Sequence, residues 1–290
     1  MRISIIGRQR CGLGESPLWD PDAQVLYWVD SVAPAIWRLD PATGEQAAFP
    51  APDRIGSVVL GSGTDLIAGL TDGIYRVDLT AGTFEPLVRP DDMTGGERLN
   101  DGKTDRAGRL VTGTIMPAGE PPHAGKLYRF DPGGGWAVLE TGVEVSNAIC
   151  FSPAGDRLYF ADSLRRMVWS YDYDAASGAA TNRRDLIDTG ALGATPDGAT
   201  VDADGFVWVA LVLTRQIGRF SPEGHLDRLI DTPCPYPSCP AFGGRDLDVL
   251  YVTSIADSGG RLKSDHPDAG RLMAIEGLGV RGLAETRCRL

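Results

Sequence analysis

One short pattern recurs six times along this chain of 290 residues. In each copy a turn rich in Asp, Gly and Pro precedes a β-rich run, and a second such run follows about ten residues later, as residues 26–30 (LYWVD) and 36–40 (IWRLD) illustrate. The equivalent positions, about 45 residues apart on average, are Tyr27, Leu66, Leu110, Tyr159, Trp208 and Tyr251. Such a repeat constrains the fold strongly, because each unit must bury its apolar faces against its neighbours.

The repeat predicts an all-β fold, a six-bladed β-propeller. A unit of this length, made of short strands without helical periodicity, is typical of one four-stranded blade. Six units account for the whole chain, so residues 1–290 are expected to form a single domain. We expect an N-terminal strand at residues 2–6 to close the last blade by pairing within residues 271–284, which removes an exposed edge. A parallel α/β fold would need amphipathic helices between the strands, and the sequence shows none.

Composition excludes several classes of protein. With 42% hydrophobic and 23% charged residues, the chain is expected to be globular. Its net charge is −11 and it has no long basic run, so no nucleic-acid partner is expected. Its longest strongly apolar runs are about seven residues, against roughly 20 for a membrane-spanning helix, so no membrane association is expected. The apolar patch in residues 1–7 is too short for a signal peptide, which predicts a cytoplasmic protein.

Cysteine and histidine offer little for metal binding. The five cysteines are widely spaced and form no CxxC pair, so we interpret them as reduced thiols. Cys239, on a predicted inner strand, is interpreted as a buried, inert thiol. The three histidines, His123, His225 and His266, form no HExxH motif. A histidine-rich or thiolate zinc site is therefore not expected.

Polar residues recur on the strands predicted to line the central axis. The predicted inner strands precede each repeat, at residues 13–19, 55–59, 98–103, 145–149, 195–200 and 237–242. Glu15, Asn100, Asn147 and Asp197 are separated by one or two repeat lengths, so their side chains are expected to share one height around the axis. Buried carboxylates are costly without a compensating cation. An all-oxygen donor set suits Ca²⁺, Mg²⁺ or Mn²⁺.

Five motifs at blade spacing carry a family resemblance. They are GESPLW at 14–19, RLNDGK at 98–103, SN at 146–147, PDG at 196–198, and FGG through LYVTS at 242–254. Together they resemble the SMP-30/gluconolactonase/regucalcin family from about residue 10 to residue 276. The resemblance implies a six-bladed propeller and metal-dependent hydrolysis of a sugar lactone, an aldono-1,4- or 1,5-lactone, to the aldonic acid.

The resemblance also implies roles for individual residues. Glu15, Asn147 and Asp197 would bind one divalent metal ion, which could be calcium, magnesium, manganese, zinc or iron. Arg98 and Asn100 would contact the substrate. Asp197 would also be catalytic, as the general base for the attacking water, a role that competes with metal ligation. The family usually has Gly where this chain has Ala148, which bears on the placement of Asn147 if the backbone there has a positive φ.

Two other functions remain open at the level of sequence. The propeller could be a non-catalytic calcium-binding or partner-binding platform, or it could hydrolyse aryl esters or organophosphates at the same site. Asp101 and Asp202 are interpreted as turn or strand-linking residues. Trp28 and Trp208 are interpreted as packing between blades. The oligomeric state is not predicted.

Overall fold

The fold was examined in a computed structural model that describes residues 1–93, 96–116 and 125–290. The described residues form 24 strands and two single-turn 3₁₀ helices, Gly190–Leu192 and Val212–Thr214. The strands group into six four-stranded antiparallel sheets. The prediction of an all-β, six-bladed propeller is confirmed. Within the described ranges no helix is long and apolar enough to cross a membrane.

The blades follow one another along the chain. Blade 1 contains β2 (Gly14–Asp20), β3 (Val25–Asp30), β4 (Ala35–Leu39) and β5 (Gln46–Pro50). Blade 2 contains β6 (Ile55–Leu60), β7 (Leu66–Leu70), β8 (Ile74–Asp78) and β9 (Thr83–Val88). Blade 3 contains β10 (Arg98–Thr104), β11 (Leu110–Ile115), β12 (Gly125–Phe130) and β13 (Trp136–Val143).

The second half of the chain repeats this order. Blade 4 contains β14 (Ser146–Phe151), β15 (Arg157–Asp162), β16 (Met167–Tyr173) and β17 (Ala180–Asp188). Blade 5 contains β18 (Pro196–Val201), β19 (Val207–Leu211), β20 (Gln216–Phe220) and β21 (Leu226–Asp231). Blade 6 contains β22 (Pro237–Gly243), β23 (Val249–Ser254), β24 (Leu272–Glu276) and, as its outermost strand, β1 (Arg2–Ile6).

The N-terminal strand β1 lies along the outer edge of blade 6. It pairs antiparallel with β24 over five residue pairs, from Arg2 opposite Glu276 to Ile6 opposite Leu272. The first and last parts of the described chain therefore share one sheet, and β24 is not an unpaired edge.

The hydrophobic core consists of the interfaces between blades. Among the described residues, six buried apolar clusters each join a pair of neighbouring blades. Trp208 of blade 5 meets Phe242 of blade 6 edge-on with ring centroids 5.7 Å apart, and Trp28 lies in the cluster between blades 6 and 1. The tryptophans thus pack between blades as predicted, which leaves polar side chains for the axis.

The segment 277–290 closes one end of the central channel. It crosses the carboxyl ends of the inner strands, and its backbone forms hydrogen bonds at Ala203, Leu247, Leu60 and Gly108. Beneath this segment, a cavity of about 10 Å³ is lined by Lys103, Glu285 and residues of β14 and β18. The channel is therefore accessible mainly from the opposite face, where the inner strands begin.

Candidate functional site

All six inner strands break register with the second strand of their own blade at the same point. The breaks lie between Glu15 and Leu18, Ile55 and Ser57, Leu99 and Gly102, Asn147 and Cys150, Pro196 and Ala199, and Pro237 and Pro240. A β-bulge bends a strand and redirects its side chains. Because the bulges occur at one height, they bring the predicted site residues to one level of the channel.

Two bulges require a left-handed backbone at a residue other than glycine. Ala148 has φ +53° and Ser16 has φ +50°. Ala148 therefore adopts the positive φ that the family usually assigns to Gly, at a cost of about 1–2 kcal/mol. Ser16 also links blades 1 and 2, because its Oγ donates to the Val58 carbonyl (3.2 Å) and accepts from the Val58 N–H (3.0 Å). Asn147 and Glu15, the residues just before them, keep their places on the inner strands.

Two asparagine amides join blades 3 and 4. Asn100 Nδ2 donates to the carbonyl of Ser146 (2.9 Å) and to Asn147 Oδ1 (3.1 Å). Arg98 Nη1 donates to Asn100 Oδ1 over 3.0 Å. Asn147 Nδ2 donates to Ser163 Oγ over 2.8 Å. These bonds orient both amides, and Asn147 Oδ1 keeps one lone pair for a further partner.

Three carboxylates lie buried beside these amides. Glu15, Asp101 and Asp197 are 9%, 7% and 7% exposed. Burial, followed by the charges of Asp197 and Asp101, raises the pKa of Glu15 well above its usual range. Burial and the charge of Asp101 do the same to the pKa of Asp197. In the described part of the chain, no cationic side chain lies within ion-pair distance of any of the three.

Arg98 is half-buried at the start of β10. Burial, together with the positive charges of Arg54 and Arg261, lowers its pKa to about 10, while Glu15 acts in the opposite direction. A guanidinium with this pKa is cationic at neutral pH. Arg98 therefore adds a fixed positive group with several N–H donors next to the carboxylates.

The structure brings all five predicted site residues to the channel. Glu15, Arg98, Asn100, Asn147 and Asp197 lie on the inner strands β2, β10, β14 and β18. Their chemical roles stay predictions.

Three further residues have structural roles near the site. Asp101 and Asp202 were predicted to have such roles, whereas Ser163 was not predicted to contribute. Asp101 links blades, because its Oδ2 accepts the N–H of Ile149 (2.9 Å), but its charge also acts on the site. Asp202 has the predicted turn role and accepts the N–H groups of Asp204 and Phe206. Ser163, which holds Asn147, was missed because it lies after β15, outside the inner-strand repeat.

Among the described residues, no cysteine or histidine belongs to the proposed donor set. All five cysteines are buried free thiols. Burial raises the pKa of the Cys239 thiol well above its usual range, as expected of an inert group. His225 and His266 are exposed. His123 lies outside the described residues.

The donors at this level fit a hard divalent cation. Glu15 and Asp197 are buried carboxylates that lack a cationic partner among the described residues, and Asn147 offers an amide oxygen. No group of three His, Cys, Asp or Glu side chains was found in the described ranges that could hold a metal by itself. The proposed set instead combines two carboxylates with an amide, as oxygen-liganded Ca²⁺ or Mg²⁺ sites do.

An opening of about 440 Å³ lies beside Arg98, at the end of the channel where the inner strands begin. Its wall includes Leu13, Ile115 and Met116, together with residues 258–261 of the loop between β23 and β24. This volume is typical of small-molecule sites, which span about 300–1,000 Å³.

Fold and site together define a six-bladed propeller with a polar, carboxylate-rich channel that is open at one end. Residues 13–256 match the model of the SMP-30/Gluconolactonase/LRE-like region, and the chain belongs to this family. The resemblance noted in the sequence is thus confirmed.

Several relatives match along nearly their whole length. The chain is 32% identical over 286 residues to a 6-deoxy-6-sulfogluconolactonase of Pseudomonas putida, covering 98% of this chain and 97% of that protein. It is 33% identical over 268 residues to a pentonolactonase of Haloferax volcanii, covering 89% and 87%. A crystal structure of a calcium-binding protein, regucalcin, from Agrobacterium tumefaciens superposes with a TM-score of 0.91 at 26% identity, covering 99% of this chain and 97% of that one.

Proposed function

We propose that this protein is a lactonase that opens an aldono-1,4- or 1,5-lactone to the aldonic acid with the help of one divalent ion. The observation that carries the proposal is the set of buried carboxylates, Glu15 and Asp197, facing one channel level with the Asn147 amide and Arg98. Relatives that match along most of their length are named as lactonases, which supports this reaction class.

Glu15, Asn147 and Asp197 would hold the ion. Bound there, it would polarise the lactone carbonyl and offset the negative charge that develops on the carbonyl oxygen. Its charge would also keep Glu15 and Asp197 ionised in surroundings that otherwise favour their protonated forms. Its identity is left open among calcium, magnesium, manganese, zinc and iron.

Asp197 is the proposed base. In the hydrolysis, water forms a bond to the carbonyl carbon, the bond between that carbon and the ring oxygen breaks, and the ring oxygen receives a proton. Asp197 takes the proton of the attacking water and can return it to the departing ring oxygen. The N–H of Gly198 forms a hydrogen bond to the Asp197 carboxylate, which helps to fix the carboxylate in place.

Arg98 and Asn100 position the substrate. Arg98 Nη1 is engaged by the carbonyl of Leu99 (3.1 Å) and by Asn100 Oδ1 (3.0 Å), which fixes the plane of the guanidinium. Its other N–H groups have no hydrogen-bond partner among the described residues and would bind ring hydroxyls or the lactone carbonyl. Asn100 in turn anchors the amide of Asn147, so substrate contact and ion binding share one hydrogen-bonded network.

The proposal is tested with purified protein, a panel of aldonolactones and a pH indicator, in the presence of each divalent ion in turn. Rates are corrected for uncatalysed opening. Arg98→Ala is expected to lower kcat/KM on the best lactone about 10- to 150-fold, from the loss of hydrogen bonds to a charged donor, without loss of the ion. Arg245→Ala, on the opposite face after β22, is the control and is expected to leave kcat/KM unchanged.

The panel also contains aryl esters, organophosphates and direct ion-binding measurements. Ion binding without turnover of any substrate would contradict the lactonase proposal and would indicate a non-catalytic binding platform. Turnover of aryl esters but of no lactone would show that the proposed substrate class is wrong.

A further inference from the structure

Three arginines surround the opening of the channel. Arg54, Arg98 and Arg261 line it, and Asp53 is the acidic side chain among its described lining residues. This excess of positive charge occurs in a chain whose net charge is −11. Like charges held close together are unfavourable unless an anion offsets them.

The three guanidinium groups come from three separate parts of the fold. Arg54 directly precedes β6, Arg98 begins β10, and Arg261 lies in the loop between β23 and β24. Arg54 Nη2 packs against that loop, 3.3 Å from the position that a Cβ on Gly259 would occupy. All three side chains line the same 440 Å³ opening, so an anion bound there would be close to each of them.

Few groups among the described residues neutralise these arginines. Arg261 Nη2 donates to the carbonyl of Met116 over 3.1 Å. Asp53 Oδ1 accepts the backbone N–H of Arg54 over 2.6 Å. Across the described residues no carboxylate lies within ion-pair distance of Arg54, Arg98 or Arg261. Arg184, by contrast, is paired with Asp172 through both Nη atoms, at 2.6 and 2.8 Å.

We propose that the lactone carries an anionic group, a carboxylate, sulfonate or phosphate, on the carbon far from its carbonyl, and that Arg54 and Arg261 bind this group. The inference rests on the proposed function and narrows its substrate class. With the lactone carbonyl at the level of Glu15 and Asp197, the far end of the sugar points to the opening. The planar guanidinium offers paired N–H donors that match the oxygens of such anions.

The test compares matched lactones that differ in charge. The probes are D-glucono-1,5-lactone, 6-phospho-D-glucono-1,5-lactone, the 6-deoxy-6-sulfo analogue and D-glucaro-1,4-lactone. We expect kcat/KM to be at least about 10-fold higher for the best anionic lactone than for the neutral one. The three anions separate phosphate, sulfonate and carboxylate as the group recognised. The preference is expected to shrink when ionic strength is raised from 20 to about 500 mM, because salt screens exposed charges.

The double variant Arg54→Ala/Arg261→Ala assigns the preference to the two arginines at the opening. It is expected to lower kcat/KM on the anionic lactone about 10-fold or more, chiefly through KM, and to change kcat/KM on the neutral lactone less than about twofold. Arg245→Ala removes one exposed arginine from the opposite face and is expected to change neither value.

Several outcomes would overturn the inference. A neutral lactone used as well as the anionic ones would do so and would leave the proposed function intact. An anionic preference that survives in the double variant, or an equal loss on both kinds of lactone, would also refute it. If no lactone is opened, the proposed function fails, and calorimetric titration with 6-phosphogluconate against gluconate still tests the arginines, since equal binding of the two would contradict the inference.

Discussion

The side chain of Asn147 is anchored by Ser163, whose Oγ accepts from Asn147 Nδ2 over 2.8 Å and donates to the carbonyl of Pro196 over 2.7 Å. Ser163 thus connects the amide of blade 4 to the strand that carries Asp197 in blade 5. With Nδ2 held by the serine, the oxygen of Asn147 is the atom available to a cation. Groups that orient a metal ligand in this way affect metal affinity although they do not touch the ion.

Ser163→Ala is therefore expected to lower the affinity for the divalent ion about 10- to 100-fold, because the Asn147 amide loses the acceptor that orients it. Ion affinity is measured by calorimetric titration of metal-free protein, and turnover is measured at saturating ion, where most activity should return. Ser177→Ala, in an exposed turn of blade 4, is the control. An unchanged affinity in Ser163→Ala would show that Asn147 does not depend on this bond.

Lys103 and Glu285 form a largely buried ion pair at the closed end of the channel, with Lys103 Nζ and Glu285 Oε1 3.0 Å apart and side chains 10% and 15% exposed. Removing one partner leaves a buried charge unpaired, so Lys103→Met should lower the free energy of unfolding by about 3–5 kcal/mol. The double variant Lys103→Met/Glu285→Met should recover much of this loss. Urea unfolding measures both.

The exposed pair Arg2 and Glu276, on β1 and β24, is the control for this experiment. Replacing one partner of this pair is expected to lower the free energy of unfolding by about 1 kcal/mol or less, as for other surface ion pairs. Equal losses at the buried and exposed pairs, or a double variant as unstable as Lys103→Met, would contradict the assignment.

Ion binding should release protons and weaken as the pH falls. The pKa values of Glu15 and Asp197 are raised in the metal-free fold, chiefly by burial, so both groups retain protons at pH values where they would be ionised in the unfolded chain. A cation must displace those protons, and metal-free protein gains stability from these two groups as the pH falls through their raised pKa values. Calorimetric titration at pH 6 and 8, in two buffers of different ionisation enthalpy, counts the protons released. Binding without proton release at both pH values would show that the carboxyls are ionised before the ion arrives.

Asp197→Asn tests the proposed base. The amide keeps an oxygen for the ion but cannot accept the proton of water, so kcat should fall about 10²- to 10⁴-fold at saturating ion. The circular dichroism spectrum should be unchanged, because Asn and Asp have nearly the same volume. If the ion-saturated variant turns over as fast as the wild type, Asp197 is not the base and is at most a ligand of the ion.

The sequence predicts the fold well because the repeat reflects a geometric requirement. Tyr27, Leu66, Leu110, Tyr159, Trp208 and Tyr251 all lie on the second strand of successive blades. Inner strands meet at the axis wherever they lie in the chain. For this reason the repeat spacing could predict that the channel contains Glu15, Asn100, Asn147 and Asp197.

Contacts outside the repeat could not be predicted. Glu285 belongs to a segment that crosses the closed end of the channel, and its pairing with Lys103 depends on the path of that segment. Arg54 and Arg261 come from connections before β6 and between β23 and β24, which no shared spacing relates. Ala148 has a positive φ, a conformation that Gly adopts more readily. The sequence alone could not establish the backbone conformation at this position.

The central claim is that Glu15, Asn147 and Asp197 hold a divalent ion on which lactone opening depends. The most direct measurement is the rate of aldonolactone opening by wild-type protein before chelation, after exhaustive chelation checked by elemental analysis, and after ion is restored. We predict that turnover falls to the uncatalysed rate in metal-free protein and returns, to different extents, with calcium, magnesium, manganese or zinc. Full turnover by protein shown to be free of metal would contradict the claim.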